Sequence, residues 1–318
     1  MHVDERQRIL NRLEAGADSG ACSGFLVQCD YLHRTEIYNR LIYERLGRKL
    51  DDLQQRHKAC FEDWGETFYT MLLRFMGAPN NTLAFERLAA LAQYKYIRRH
   101  IKSASQIEAL LIGTSGLLDA YRDDIYTLDL KREHVYLSHK YGIKKMKPGM
   151  WKTSGIYPHN HPIIRMSQLA ELISRTGLAI DGLMACRTAA DTERYFTARA
   201  SDYWTDHFIP KKQSPSVVKR IGAAKADILA INVAVPLQYA YSRYTSNERL
   251  RTSAINLLEE LPPENNAKVR LWTAGGLMPR SAYETQSLIQ LTDVYCRNRR
   301  CSECPIGMRI LHRAGVAV

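Results

Sequence analysis

No apolar run in this sequence approaches the roughly 20 residues needed to cross a bilayer, so no membrane-spanning helix is expected. The first residues, Met1-His2-Val3-Asp4-Glu5-Arg6, carry acids and lack the apolar stretch of a secretory signal. The expected location is the cytoplasm. Strand-like alternation of apolar and polar residues is nearly absent, which argues against an extensive β-sheet. There is no internal repeat of fixed period and no low-complexity tract.

Catalytic templates are missing too. The sequence has no Gly-x-x-x-x-Gly-Lys-Ser/Thr phosphate loop, no Rossmann glycine fingerprint after a strand and no Gly-x-Ser-x-Gly nucleophile elbow. Gly113-Thr114-Ser115-Gly116 follows a helical pattern and is expected to be a helix C-terminus. The acidic pairs Asp51-Asp52, Asp123-Asp124 and Glu259-Glu260 sit among polar neighbours, where adjacent helical side chains diverge by about 100°. Solvated faces account for them.

What is present is a core. Hydrophobic residues make up 45% of 318, enough for one large or two modest domains. Ile37, Leu41, Ile42, Leu46, Leu50 and Leu53 fall on one helical face. Trp64, Phe68, Leu72 and Phe75 form a second stripe, ended by Gly77-Ala78-Pro79-Asn80-Asn81. Further helices are expected over 82–92, after an N-cap at Ser105 and over 163–175, while 121–141 is less regular but lacks strand-like alternation. Short ones are expected over 182–186 and 189–198. A break over 209–216 precedes the most apolar segment, 223–244, which Pro236 should kink. Ser246 is expected to cap a helix over 247–261, and the last clear helices are 264–274 and 281–296.

The expected architecture is therefore all-α: a multi-helix bundle with a short cysteine-containing C-terminal loop. It divides into an N-terminal extension (1–33), a first helical lobe (34–147) and a second lobe (148–318). Gly142–Pro162, with three prolines, is the candidate hinge. Its Met150, Trp151, Ile156 and Tyr157 are large enough to pack as an ordered loop.

Lys plus Arg exceed Asp plus Glu by 45 − 33 = 12. That surplus suits a polyanionic partner such as nucleic acid, or simply a basic, soluble surface. The densest groups are Arg98-Arg99-His100 with Lys102, Lys144-Lys145 with Lys147, Lys211-Lys212 with Lys219-Arg220, and Arg297 with Arg299-Arg300.

Seven cysteines in a chain without a signal peptide do not suggest a disulfide framework. Three of them, Cys296, Cys301 and Cys304, crowd into nine residues. Cys301 and Cys304 form a Cys-x-x-Cys turn that lets two thiolates face one ion, and Cys296 offers a third ligand. The fourth would be His312 or a distant cysteine such as Cys22 or Cys186. Basic neighbours are expected to lower the thiol pKa values. A structural zinc, an iron–sulfur cluster and plain packing all stay open, with redox chemistry behind them. The spacing loosely resembles the C-terminal iron–sulfur loop of the helix-hairpin-helix DNA glycosylases. Here the first gap is shorter and no fourth cysteine follows Cys304, so an intact loop of that type is not expected.

The histidines are weaker signals. His159 and His161 could chelate across an extended loop, but no third ligand lies nearby in sequence, and an ordinary loop is favoured. His134 and His139 are expected to be solvated. Glu264, Asn265, Arg270 and Gln286 form a polar group that could face a ligand or serve as caps and interhelix bonds.

Several of these segments together resemble a bacterial domain-of-unknown-function family, numbered twenty-eight fifty-one. They are Asn39-Arg40-Leu41, Trp64 through Tyr69, Ile107 through Leu111 with Gly113 and Gly116, Trp151-Lys152 and Pro162 through Arg165. Asn232 with Pro236 and Tyr241, Leu261-Pro262 with Glu264-Asn265, Gln286 and the closing cysteines complete the set. Members generally carry Arg-Pro where this chain has Tyr157-Pro158. They typically begin with an additional β-rich, nuclease-like region, so the resemblance implies that this chain corresponds to a member's C-terminal part. The family has no established activity. The leading expectation is a non-catalytic helical binding module for nucleic acid or a nuclease-like partner protein. Arg297, Arg299 and Arg300 would make phosphate contacts. A hydrolase or nuclease acting at the Glu264–Gln286 group and an assembly scaffold are the alternatives.

Overall fold

Helix-forming stripes dominate the sequence, and helices dominate the molecule. The computed structural model describes residues 2–17, 20 and 22–315, to which all structural statements refer. The fold is all-α apart from one two-stranded ribbon. The helices gather into two compact units, one of residues 1–52 with 247–318 and one of residues 53–246. The expected hinge at 142–162 lies inside the second unit.

The first unit opens with α1 (His2–Ala15), α2 (Ser23–Gln28) and α3 (Tyr31–Ala59), the end of α3 being counted with the second unit. That unit holds α4 (Trp64–Gly77), α5 (Thr82–Leu91), α6 (Tyr94–Ile97), α7 (Ala104–Ser115), α8 (Ile125–Tyr141), α9 (Pro162–Thr176), α10 (Ile180–Met184) and α11 (Ala189–Phe196). Strands β1 (His207–Ile209) and β2 (Lys212–Gln213) follow, then α12 (Ala223–Leu229) and α13 (Val235–Tyr244). The chain returns to the first unit with α14 (Glu248–Glu260), α15 (Ala267–Ala274), α16 (Ala282–Gln290) and α17 (Pro305–Arg313).

In α3 the apolar stripe is buried as its spacing requires: Ile37, Leu41, Ile42, Leu46 and Leu53 are covered, and Leu50 is half-buried. The helix starts at Tyr31 because the Asp30 carboxylate accepts from the backbone N–H of His33.

The second unit is organised around α7, which packs on both α8 and α9 and is buried from Ile107 to Ser115. Its cap is Ser103 rather than Ser105: the Ser103 hydroxyl accepts from the Gln106 N–H. Gly116, in the left-handed region, ends it as expected. A Cβ at Gly113 would lie 2.2 Å from the ring of His134 on α8. This near contact overturns the solvated reading of His134, which is buried and bonds Thr114 Oγ1 at 3.3 Å. His139 is exposed, as expected. Asp124 also departs from expectation. It closes a capping box with Thr127 and accepts from the Tyr203 hydroxyl.

Segment 142–162 is an ordered loop. The Trp151 indole donates to Ser115 O at 2.9 Å, and Asn81 bonds both the N–H and the C=O of Lys152. Met150 and Tyr157, expected to pack, are exposed. His161 caps α9 and meets the Tyr121 hydroxyl at 3.0 Å. Pro236 acts through backbone geometry. A π-turn at Ala230–Ala234 separates α12 from α13, and Pro236 sits at the start of α13. The basic break at 209–216 holds the small ribbon, with His207 opposite Gln213. Lys219, counted among the surface cations from sequence, is buried. Its ammonium donates to the Trp204 and Thr205 carbonyls and lies 4.1 Å from the Phe208 ring centre.

Two outcomes follow. Gly113→Ala should destabilise the second unit by roughly 1–3 kcal/mol through overpacking, while Gly149→Ala, which meets nothing within 4 Å, should stay within about 0.5 kcal/mol. Urea denaturation of the two variants measures the contrast. The second outcome concerns pH. Burial pushes both His134 and His161 from 6.5 down to about 4. Above 6.5 both states are neutral. Between 6.5 and about 4 only the unfolded chain takes up the protons, so stability falls on acidification. Urea midpoints at pH 7.5 and pH 5 should show that fall, and His134→Gln should reduce it.

Candidate functional site

Two features of the first unit stand out: a cavity ringed by cysteines and a polar network along α3. Both are built by the segment that follows α16. There the backbone widens into a π-turn, Leu291–Cys296, a distortion frequent at functional positions. The chain then turns tightly. Arg299 N–H bonds Cys296 O, Arg300 N–H bonds Tyr295 O and Cys304 N–H bonds Arg300 O. Cys304 is the N-cap of α17, a helix not anticipated from the sequence. The backbone N–H groups of Ile306 and Gly307 favour the ionised form of Cys304, but burial outweighs them and leaves its thiol raised.

Glycines set the approach. A Cβ at Gly307 would fall 1.9 Å from Cys301 O, and one at Gly275 would fall 1.8 Å from the Ser23 hydroxyl. Gly20, at φ +67°, would bring one to 2.8 Å from Leu271 O. These contacts seat the segment carrying Cys22 against α15 and the Cys301 backbone against α17. As a result Cys22, Cys296, Cys301 and Cys304 line one cavity, with Leu13, Trp272 and Ile306 among its apolar walls. The centre of a water molecule can reach about 20 Å³ of it.

The thiols are not lowered. Burial, with the neighbouring sulfurs adding to it, pushes Cys22 up to about 11; Cys301 rises to about 11 for the same reasons. The expected effect of basic neighbours is outweighed because Arg300 turns to Glu303 and Arg297 to Asp293, leaving the cavity to apolar walls. Of the four ligands expected from sequence, Cys296, Cys301 and Cys304 come together. His312 lines a different cleft, and Cys186 belongs to the second unit. Among the described residues no three His, Cys, Asp or Glu side chains are grouped to hold a single metal ion.

The His312 cleft is wider: the centre of a water molecule can reach about 500 Å³ of it. It lies between α3 and α17, lined by His33, Arg40, Arg309, His312 and Arg313, with Glu36 as the acid. Arg309 pairs with Glu36, Arg40 with Glu44, and Arg313 lies 4.8 Å from the Phe25 ring centre. Arg297, Arg299 and Arg300 are exposed on the turn before α17.

The polar group expected at Glu264, Asn265, Arg270 and Gln286 divides. Gln286 is buried and bridges, donating to Glu264 and accepting from Arg45 of α3. The Arg270 guanidinium instead donates to the Asn265 side chain, at 3.3 Å on the surface. The network continues along α3: Arg48 donates to Gln290, and Glu44 accepts from the Tyr295 hydroxyl. Burial pushes Arg45 down to about 10 and also lowers Lys49, with the neighbouring arginines adding to both. Sequence reasoning missed Arg45, Arg48 and Lys49. Their i, i+3, i+4 spacing was the available signal, but it describes a solvated helix face equally well.

The model of the family described as Protein of unknown function (DUF2851) matches residues 3–267. The chain belongs to this family. The DUF2851 match begins well ahead of Asn39 and stops at the start of α15, before Gln286 and the closing cysteines. No curated protein and no solved structure matches the chain. No helix among the described residues is long and apolar enough to cross a membrane.

The network carries a prediction. Gln286→Ala removes the bridge between Arg45 and Glu264 and should cost about 1–3 kcal/mol, the penalty for partly buried polar groups left without a partner. Asn265→Ala, on the surface, should cost about 0.5 kcal/mol or less. Guanidinium denaturation distinguishes them.

Proposed function

We propose that this member of DUF2851 is a helical binding module for nucleic acid, engaged through the basic face formed by α3, α17 and the turn between α16 and α17. The observation that carries the reading is the cleft between α3 and α17, where three arginines and two histidines meet one glutamate. Arg297, Arg299 and Arg300 are exposed on the turn before α17 and add to the cations near that helix, Arg297 and Arg300 being paired with Asp293 and Glu303. Phosphate oxygens are the ligand such a surface suits. Guanidinium groups pair with them in two-point fashion, and the chain's formal net charge of +12 would add long-range attraction.

The alternative centred on Glu264 and Gln286 draws less support. Those two side chains and Arg45 are already bonded to one another, which ties them to the packing of α3.

Fluorescence anisotropy with a labelled 20-nucleotide strand, as DNA and as RNA, tests the proposal. Binding should weaken linearly in log Kd against log salt, since each neutralised phosphate releases counterions. Replacing Arg297, Arg299 and Arg300 together by Glu should weaken binding by at least about 10-fold at low salt, and Arg313→Glu should weaken it further. Binding that is flat in salt, or absent at micromolar protein, rejects the reading.

A further inference from the structure

We infer that Cys22, Cys296, Cys301 and Cys304 are the four thiolate ligands of an iron–sulfur cluster of the four-iron class, seated in the cavity between α1, α15 and the N-terminus of α17. Four cysteines lining one cavity is the first ground. Cys22 arrives from the far end of the chain, so this convergence is a product of the fold and not of local spacing.

Size decides between a single ion and a cluster. Tetrahedral zinc holds each sulfur at about 2.3 Å, which requires the sulfurs to lie within about 4 Å of one another. No group of three potential ligands is arranged that way among the described residues. The space reachable by a water centre, 20 Å³, corresponds to a sphere of about 1.7 Å radius. Adding the 1.4 Å radius of water gives a void roughly 6 Å across. A multi-iron core presents several metal sites to such a void and so meets thiolates set farther apart than one ion can hold.

The surroundings suit a cluster. The walls are apolar, from Leu13, Trp272 and Ile306. Cys304 precedes the first turn of α17, whose N–H groups at Ile306 and Gly307 favour its ionised form, as backbone N–H groups near a sulfur favour a cluster-bound thiolate. Without a metal, burial favours the protonated forms of Cys22, Cys301 and Cys304; iron coordination supplies the force that removes the protons. The proposal is independent of nucleic-acid binding. His312, in the other cleft, is not a ligand.

The test is anaerobic purification of the full chain from iron-supplied cells, with iron, zinc and acid-labile sulfide measured per chain. About four iron atoms and four sulfides are expected, with visible absorbance near 400 nm. Cys22→Ser should lose them as fully as Cys304→Ser, while Cys29→Ser and His312→Ala keep them. Zinc without sulfide, or neither metal, overturns the proposal, and so does a Cys22→Ser protein that retains the wild-type iron. Should the serine variants fail to fold, mass mapping of alkylated thiols decides on the native chain. Removing the iron should expose all four cysteines together, and exposure of only three overturns the assignment.

Discussion

Backbone contacts closer than any side chain allows hold the first unit together at its chain ends. Gly275 admits Ser23, Gly307 admits the Cys301 carbonyl, and Gly20 takes a left-handed turn against Leu271. Each is a site where a methyl group would force the backbone apart. Together they bring residues near 20 and residues near 300 to the same cavity. The apolar contact of α1 with α17, through Leu10, Cys301 and Leu311, depends on that closure.

The same constraint explains why the cysteines were only partly legible in the sequence. Cys301 and Cys304 announce themselves by spacing, and Cys296 by position. Cys22 carries no local mark, because what recruits it is the fit of a distant turn against α15. His312 lay nearer in sequence and had suitable chemistry, yet α17 presents it to the neighbouring cleft. Helical period separates Cys304 from His312 by eight residues, a little over two turns, and the helix's two faces meet different surroundings.

Helical stripes were readable because burial enforces period 3.6 wherever a helix has one covered face, as in α3. The reading failed where burial was complete or local. In α7 residues Ile107 to Ser115 are all covered, so a stripe cannot be told from a run, and the small Gly113 proves to be a seat for His134. Caps shifted by one or two residues, from Ser105 to Ser103 and from Ser246 to Asn247, since neighbouring polar residues compete for the same N–H groups. The division into lobes was expected at the proline-rich loop. That loop is instead tied down by Trp151 and Asn81, and the compact units separate at 52 and 246.

Charge shows the same distinction between composition and placement. The surplus of cations is visible in the sequence, but its members do unlike things. Lys219 lies inside the second unit on two carbonyls, and Arg45 stands in a buried network with Gln286. Burying such groups is costly unless hydrogen bonds replace water, so these cations are committed to structure and contribute little to a partner's field. Arg297, Arg299 and Arg300, on the turn before α17, are by contrast exposed. A cluster at the four cysteines would fix that turn from behind, so the rigidity of the cationic face and the geometry of the thiolates would rest on the same few residues of backbone.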